Sequence, residues 1–511
     1  MLAQVHSCAV LGIDGIPLAV EVDNYPGMNK FAIVGLPDTA VKESQERVGS
    51  AIKNSGFRYP RGATVVNLAP ADIRKEGSAL DLPIAVGLLI ATEQIVAVSL
   101  SDYAVAGELA LDGTIRPVVG ALCMALAARE KGLRGILLPS DNAECAGVVP
   151  GIDVIPVSSL NEAVAFMSGK IEIAPHRTDV DSIMTDARNH APDLRDVKGQ
   201  AHVKRALTIA AAGGHNMLMI GPPGTGKTML AKRLPGILPN MTFEESLETT
   251  RIYSVWETPS EKQTLIAARP YRSPHHTATT VSIAGGGTGQ RPFPGEVSLA
   301  HHGVLFIDEL PEFNRAALEV LRQPLEEGLV HIRRAMYSVT YPSEFILIVA
   351  MNPCPCGCRT DPKRECRCSL GEIQRYMGRL SGPLLDRIDL HVDVPALGYE
   401  EISDSRPTGP SSAEVREEVQ AARDIQRDRY NGAFASNAHI DSAAIREHCA
   451  LGEPAAQLLQ LAIDRLGFSA RAYDKVLRVS RTLADLEHIN DITEAHIAEA
   501  IQYRSLDRQM F

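Results

Sequence analysis

The sequence predicts an α/β fold: a phosphate-binding core on a parallel sheet, preceded by an α+β domain and followed by a helical one. Three observations predict it. First, Gly221-Pro222-Pro223-Gly224-Thr225-Gly226-Lys227-Thr228 fits G-x-x-x-x-G-K-[ST] at every required position. An apolar run, Asn216 to Ile220, precedes it as a buried strand, and Met229 to Leu234 follows as a helix. Second, Gly303-Val304-Leu305-Phe306-Ile307 reads as a buried strand that ends in Asp308 and Glu309. Third, residues 1 to about 170 alternate short apolar strands with helices, whereas the pattern from Ala413 onward is helical to the end.

The chemistry of the core follows from these residue types. Glycines let successive N–H groups turn toward phosphate oxygens, and a helix N-terminus favours the anion. Lys227 brings a point charge to the β/γ-phosphates and Thr228 a hydroxyl to Mg²⁺. Asp308, at a strand's C-terminal end, is placed to hold Mg²⁺ through water, and Glu309 to polarise an attacking water. A third apolar run, Phe345 to Met351, ends in Asn352, a polar tip in reach of the γ-phosphate or the water. Three strand tips in this order resemble Walker A, Walker B and sensor 1 of the AAA+ ATPases. Leu384-Leu385-Asp386-Arg387-Ile388-Asp389 resembles the segment in which AAA+ rings carry an arginine finger. The resemblance makes Arg387 an in-trans contact to a neighbour's γ-phosphate; on the residues alone it reads as a helix-surface salt bridge.

At 511 residues the chain is too long for one core. Its 51 basic and 62 acidic residues give a formal charge of −11, which argues against coating nucleic acid but not against a basic pore. One Trp and 5% aromatics argue against a large stacking platform for single strands. Residues 1–10 lack a basic segment followed by an apolar core, and the run Leu82 to Ala91 is too short to span a bilayer. The expectation is a soluble, cytoplasmic protein with no membrane partner.

In residues 1–170, Ala63 to Leu68 and Gly135 to Pro139 read as strands and Ala121 to Lys131 as a helix. Ala106 to Val118 and Lys75-Glu76-Gly77-Ser78-Ala79-Leu80-Asp81-Leu82 resemble the proteolytic domain of Lon-type proteases. The Ser–Lys dyad does not carry over: Ala79 and Leu122 stand at its positions, with Ser78 one residue off. The expectation is a Lon-like domain without peptidase activity. Residues 171–193 read as a polar linker, 194–395 as the AAA+ core and 396–511 as its lid. Asp196 to Leu207 opens a helix whose AAA+ counterpart lines the adenine pocket.

Between the Walker motifs lies an insert with His275, His276, Gly285-Gly286-Gly287-Thr288-Gly289, Glu296, His301 and His302. The histidines read as hydrogen-bonding or solvated rather than metal-bound. The AAA+ branch of magnesium-chelatase motors and MCM helicases carries an extra hairpin here, aimed at the ring pore. Phe313 to Leu329 reads as a helix, and Val330 to Pro342 as a hairpin that faces the pore in the same branch. Arg333 and Arg334 on it are candidates for phosphate contact, or a solvated basic edge. Cys354-Pro355-Cys356-Gly357-Cys358 and Cys366-Arg367-Cys368 supply Cys354, Cys356, Cys366 and Cys368 for a Zn²⁺ site, with Cys358 spare. Arg375 to Leu385 reads as helical, His391 to Pro395 as a closing strand, and Ser403 to Ser412 as a loop. Phe468-Ser469-Ala470-Arg471-Ala472-Tyr473 resembles the start of a sensor 2 helix, which makes Arg471 a γ-phosphate sensor.

Taken as an ordered set, these features resemble the YifB/ComM family of bacterial magnesium-chelatase-like proteins. Cys358 departs from the family pattern, where an aromatic residue is usual. The resemblance implies a hexameric, ATP- and Mg²⁺-dependent motor that acts on single-stranded or branched DNA and promotes branch migration in natural transformation. A protein-remodelling or chelatase-type motor is the alternative.

Overall fold

The computed structural model describes residues 2–186, 192–256, 264–287, 292–334, 337–361, 363–398, 401, 409–466 and 468–504. Part of the linker (187–191), Thr288 and Gly289, the hairpin turn at 335–336, most of the loop before 412 (403–408) and the chain end (505–511) lie outside the described residues.

The chain opens on an antiparallel pair, β1 (Leu2–Leu11) and β2 (Asp14–Tyr25), in continuous register from Leu2↔Asp23 to Leu11↔Asp14. With β3 (Lys30–Val34), β4 (Ala63–Ala69), β5 (Tyr103–Val105), β8 (Gly135–Pro139) and β9 (Asp153–Val157) they form a seven-stranded mixed sheet, ordered β3-β4-β2-β1-β5-β8-β9. A separate short hairpin joins β6 (Glu108–Leu109) and β7 (Ile115–Arg116). The strands at 63 and 135 and the helix Ala121–Glu130 lie where the sequence places them. The apolar run at 82–91 is the helix Asp81–Ala91, buried along its whole length. The linker holds more structure than its polarity suggests. Asp179 Oδ1 accepts from the Ser182 N–H at 3.1 Å at the start of the helix Val180–Asp186, and a bridge from Val154 to His176 ties the segment to β9.

The second sheet is parallel throughout: β10 (Met217–Ile220), β11 (Tyr271–Arg272), β14 (Gly303–Ile307), β17 (Phe345–Met351) and β18 (Leu390–Asp393), in the order β11-β14-β17-β10-β18. Both faces are covered, so β10 and β14 are buried at every residue, which is why these runs read as continuously apolar. Two hairpins stand outside this sheet: β12 (Gly285–Gly286) with β13 (Phe293–Pro294), and β15 (Leu329–Arg334) with β16 (Tyr337–Pro342).

Three helical expectations need correction. The span 313–329 is two short helices, Arg315–Glu319 and Arg322–Glu327, after a 3₁₀ turn at Leu310–Glu312. Pro324 lacks an N–H for the carbonyl four residues back, and Gly328 at φ 65° ends the second helix before β15. The span 375–385 is divided between Leu370–Met377 and Gly382–Leu385, with Gly378 ending the first and Pro383 opening the second. After the phosphate loop the helix Lys227–Ala231 stops early, and Pro235 opens a further turn, Leu234–Ile237.

The C-terminal helices are Ser412–Tyr430, Ser442–His448, Glu453–Leu466, Ala470–Leu486 and Glu494–Gln502. Ser411 with Glu414 makes a reciprocal capping box, and Asp441, Ser469 and Thr493 cap other helices. The N-terminal sheet docks on the core through the β1–β2 turn. Arg251 Nη2 donates to Ile13 O at 3.2 Å and Asp14 Oδ1 at 3.0 Å, and Gly120 N donates to Ser254 O at 3.0 Å. No helix among the described residues is long and apolar enough to cross a membrane.

Candidate nucleoside triphosphate site

β10 delivers the chain into the phosphate loop at the C-terminal end of the sheet. A Cβ on Gly221 would lie 2.2 Å from Val394 O, so only glycine fits beside β18. Gly224 (φ 82°) and Gly226 (φ 88°) hold left-handed backbone that other residues resist. Lys227 Nζ donates to Gly221 O at 2.7 Å, Pro222 O at 2.9 Å and Asn352 Oδ1 at 3.3 Å. Burial lowers its pKa, opposed by the charges of Asp308 and Glu309. Thr225 Oγ1 closes the loop on Pro222 O at 3.0 Å.

Thr228 Oγ1 donates to Asp308 Oδ2 at 2.7 Å, which brings the loop's hydroxyl and the β14 carboxylate onto one point. Glu309 sits at φ 53° with its N–H on Asp308 Oδ1 at 3.0 Å. A non-glycine residue in left-handed backbone at a strand tip is uncommon, and such backbone clusters at functional sites. The loop, Asp308, Glu309 and Asn352 therefore converge at one end of the sheet, where ligands of open α/β sheets bind. Two aromatic residues that the motifs did not reveal frame the group. Tyr271, on β11, stacks against Phe306 with ring centres 6.2 Å apart, its hydroxyl buried, and burial and then the Asp308 charge push its pKa up. Tyr376 neighbours Asn352, and burial pushes its pKa up to about 12.

Arg387 and Arg471 are not at this end. They line a cavity of about 350 Å³ with Asn216, Phe345 and Lys475, residues that include the N-terminal approaches to β10 and β17. The four residues of β10 put about 13 Å of strand between the two ends. Arg387 is paired with Glu326 and the Pro383 carbonyl, and its Nε is buried with no hydrogen-bond partner among the described residues. Arg471 Nη1 reaches Asp386 Oδ2 at 3.4 Å. Burial, then the charges of Arg322 and Arg471, lower the Arg387 pKa, so three arginines share this edge. Sequence reasoning missed Arg322, whose Nη1 donates to Glu319 Oε2 at 3.0 Å. The segment before β18 is anchored to the helix Ala470–Leu486: Lys475 Nζ donates to Ile388 O at 2.8 Å and lies 3.4 Å from Asp389 Oδ1.

Arg333 and Arg334 are exposed at the tip of the β15–β16 hairpin. The two hairpins pack together: a Cβ on Gly285 would lie 3.0 Å from Ile332 Cδ1, and one on Gly286 3.7 Å from Arg334 Nη2. Buried Tyr341 donates to Pro292 O at 3.0 Å. The β1–β2 turn supports the hairpin base, since a Cβ on Gly12 would meet Val339 at 3.3 Å. The insert's histidines do not converge with Glu296, which makes a two-pronged pair with Arg272 at 2.7 and 2.9 Å. His275 and His276 lie with ring centres 4.0 Å apart, tilted by 37°. His301 and His302 lie 3.3 and 3.1 Å from Glu248 and hold its carboxyl well below the usual range. The Glu344 N–H donates to His301 Nδ1 at 3.0 Å, so in the neutral ring the proton is on Nε2, facing Glu248, and blocks a metal there.

Cys354, Cys356, Cys366 and Cys368 come together, with all four sulfurs within 4.8 Å of one another. Cys358 is outside the group and its thiol donates to Cys356 O at 3.4 Å. The Lon-like positions hold no amine: Leu122 is fully buried in its helix, and Ser78 Oγ donates to Glu108.

Three family profiles match in chain order: subunit ChlI of Mg-chelatase over 20–142, magnesium chelatase subunit ChlI over 193–402, and the ChlI C-terminal region over 409–504. The uncharacterized protein YifB of Escherichia coli is 45% identical over 99% of this chain and 98% of its own. The competence protein ComM of Haemophilus influenzae is 44% identical over 99% and 98%. A Lon protease of Azospirillum brasilense is 24% identical over 30% of this chain and 20% of its own. Near-full-length identity to YifB and ComM, on a P-loop core joined to a Lon-like sheet, shows that the chain belongs to the YifB/ComM family of magnesium-chelatase-like AAA+ proteins.

Proposed function

We propose that the chain is a Mg²⁺-dependent ATPase that works as a homo-hexameric ring in the cytoplasm and moves DNA, with branch migration during natural transformation as its task. One observation carries the reading. The phosphate loop, Asp308, Glu309 and Asn352 share one end of the sheet, while Arg322, Arg387 and Arg471 share the other. A site divided in this way is completed by a second copy set head to tail, and repetition of that contact closes a ring.

In this reading Lys227 leaves the Gly221 and Pro222 carbonyls for the β/γ-phosphates. Thr228 and Asp308 hold Mg²⁺, which neutralises phosphate charge. Glu309 orients the attacking water and Asn352 senses the γ-phosphate. Arg387 and Arg471 meet the neighbour's γ-phosphate, and Arg322 supports them. Arg333 and Arg334 on the paired hairpins contact the DNA backbone. The name of the Haemophilus influenzae relative, a competence protein, favours DNA over a protein substrate.

The test is ATP turnover with and without single-stranded and branched DNA at two salt concentrations. Stimulation that fades with salt, and that is lost in Arg333→Ala/Arg334→Ala, is the expected result. Healthy turnover that no DNA changes would move the assignment to a protein-remodelling or chelatase-type motor.

A further inference from the structure

The cysteine cluster has the dimensions of a mononuclear metal site. Sulfur separations are 3.4 Å for Cys354–Cys356 and 3.7 Å for both Cys354–Cys366 and Cys356–Cys366. Four thiolates about 2.3 Å from one tetrahedral Zn²⁺ stand about 3.8 Å apart. Disulfide sulfurs would be at about 2.05 Å, and all nine cysteines are free. Sulfurs this close enclose one ion and leave no room for the inorganic sulfides of an iron–sulfur cluster.

The cluster is also built into the nucleotide site. Cys354 is two residues after Asn352, whose side chain accepts from Lys227. The Gly357 N–H donates to Cys354 O at 2.9 Å, and Gly357 holds φ 77°. A Cβ there would lie 2.6 Å from Pro223 Cδ, so the turn just after Cys356 rests directly on the phosphate loop. The Cys358 and Arg367 N–H groups face the Cys356 sulfur, an outer shell that orients a ligand.

We propose that Cys354, Cys356, Cys366 and Cys368 bind one Zn²⁺ as four thiolates, and that the metal fixes the nucleotide site by holding Gly357 against Pro223 and Asn352 beside Lys227. The coupling, but not the metal site, rests on the ATPase reading. Cys358 is no part of the site. Without the metal the loop and Asn352 shift together; a misplacement of about 1 Å costs up to about 10² in rate.

Metal analysis of the full-length protein purified under reducing conditions tests the site. One zinc per chain is expected, kept in Cys358→Ser and lost in Cys368→Ser. Because Cys368→Ser could misfold, wild-type protein stripped of metal is also refilled with Co²⁺, which should give the thiolate-to-cobalt absorption of a tetrahedral site. No zinc in reduced protein supplied with Zn²⁺, bound iron instead, or no cobalt–thiolate band would overturn the site. Binding of a fluorescent ATP analogue, with Mg²⁺ restored, tests the coupling: stripped protein should bind at least tenfold more weakly and recover with Zn²⁺. Unchanged affinity after stripping would overturn the coupling. If zinc-loaded wild-type protein bound no nucleotide, the ATPase reading would fall and the coupling with it, while the zinc count stood.

Discussion

Lys227, Glu309 and Arg387 show what single side chains are asked to do. Lys227 is already held by three acceptors that phosphate oxygens can replace, so Lys227→Ala should lose nucleotide binding and not only turnover. Glu309 is different: the Thr228 hydroxyl donates to Asp308, the residue assigned to the metal, and not to Glu309. Glu309→Gln should therefore bind ATP normally and hydrolyse it about 10²–10⁴-fold more slowly; normal turnover, followed by phosphate release, would refute the water-orienting role. Sequence made the first two residues legible because strand-end motifs have fixed spacing. Arg322, Tyr271 and Tyr376 were not legible, because each acquires its role from a break or an edge that only packing creates. Arg322 opens a short helix separate from Arg315–Glu319, and Tyr271 needs its short edge strand beside β14.

At the scale of elements, the buried strands were legible because a sheet covered on both faces needs unbroken apolar runs. Helices in the core were less so. The runs at 313–329 and 375–385 have helical composition throughout, yet Pro324, Gly378 and Pro383 divide them. The contact between the helix Phe243–Trp256 and the turn before β14 gives a pH-dependent term. Glu248 has its pKa depressed from an ordinary 4.5, mainly by hydrogen bonds from His301 and His302. A depressed carboxyl stabilises the fold above its unfolded value and loses that contribution as pH falls through the folded value. Buried His301 has its pKa lowered, so the unfolded chain gains protons first below about 6.5, again favouring unfolding in acid. Glu248→Gln should thus lower Tm at pH 7, and the deficit should shrink below pH 4.5; a constant deficit across that range would contradict the pairing.

For the whole molecule, a site shared between copies depends on geometry that no single motif expresses. The sequence pointed to an arginine finger only through resemblance, since Arg387 alone reads as a salt bridge, and it does make one, with Glu326. What the fold adds is that Arg387 and Arg471 stand together at the far end of the sheet from their own phosphate loop. Loss of a finger of this kind costs about 10³–10⁵ in turnover. The measurement that tests this most directly is a mixing assay. Lys227→Ala and Arg387→Ala proteins, each inactive alone, are combined and ATP turnover is followed. Activity should return on mixing, because a Lys227→Ala chain still offers Arg387 to the intact phosphate loop of its Arg387→Ala neighbour. Full turnover by Arg387→Ala alone, or a silent mixture whose chains demonstrably co-assemble, would contradict a site shared between two copies.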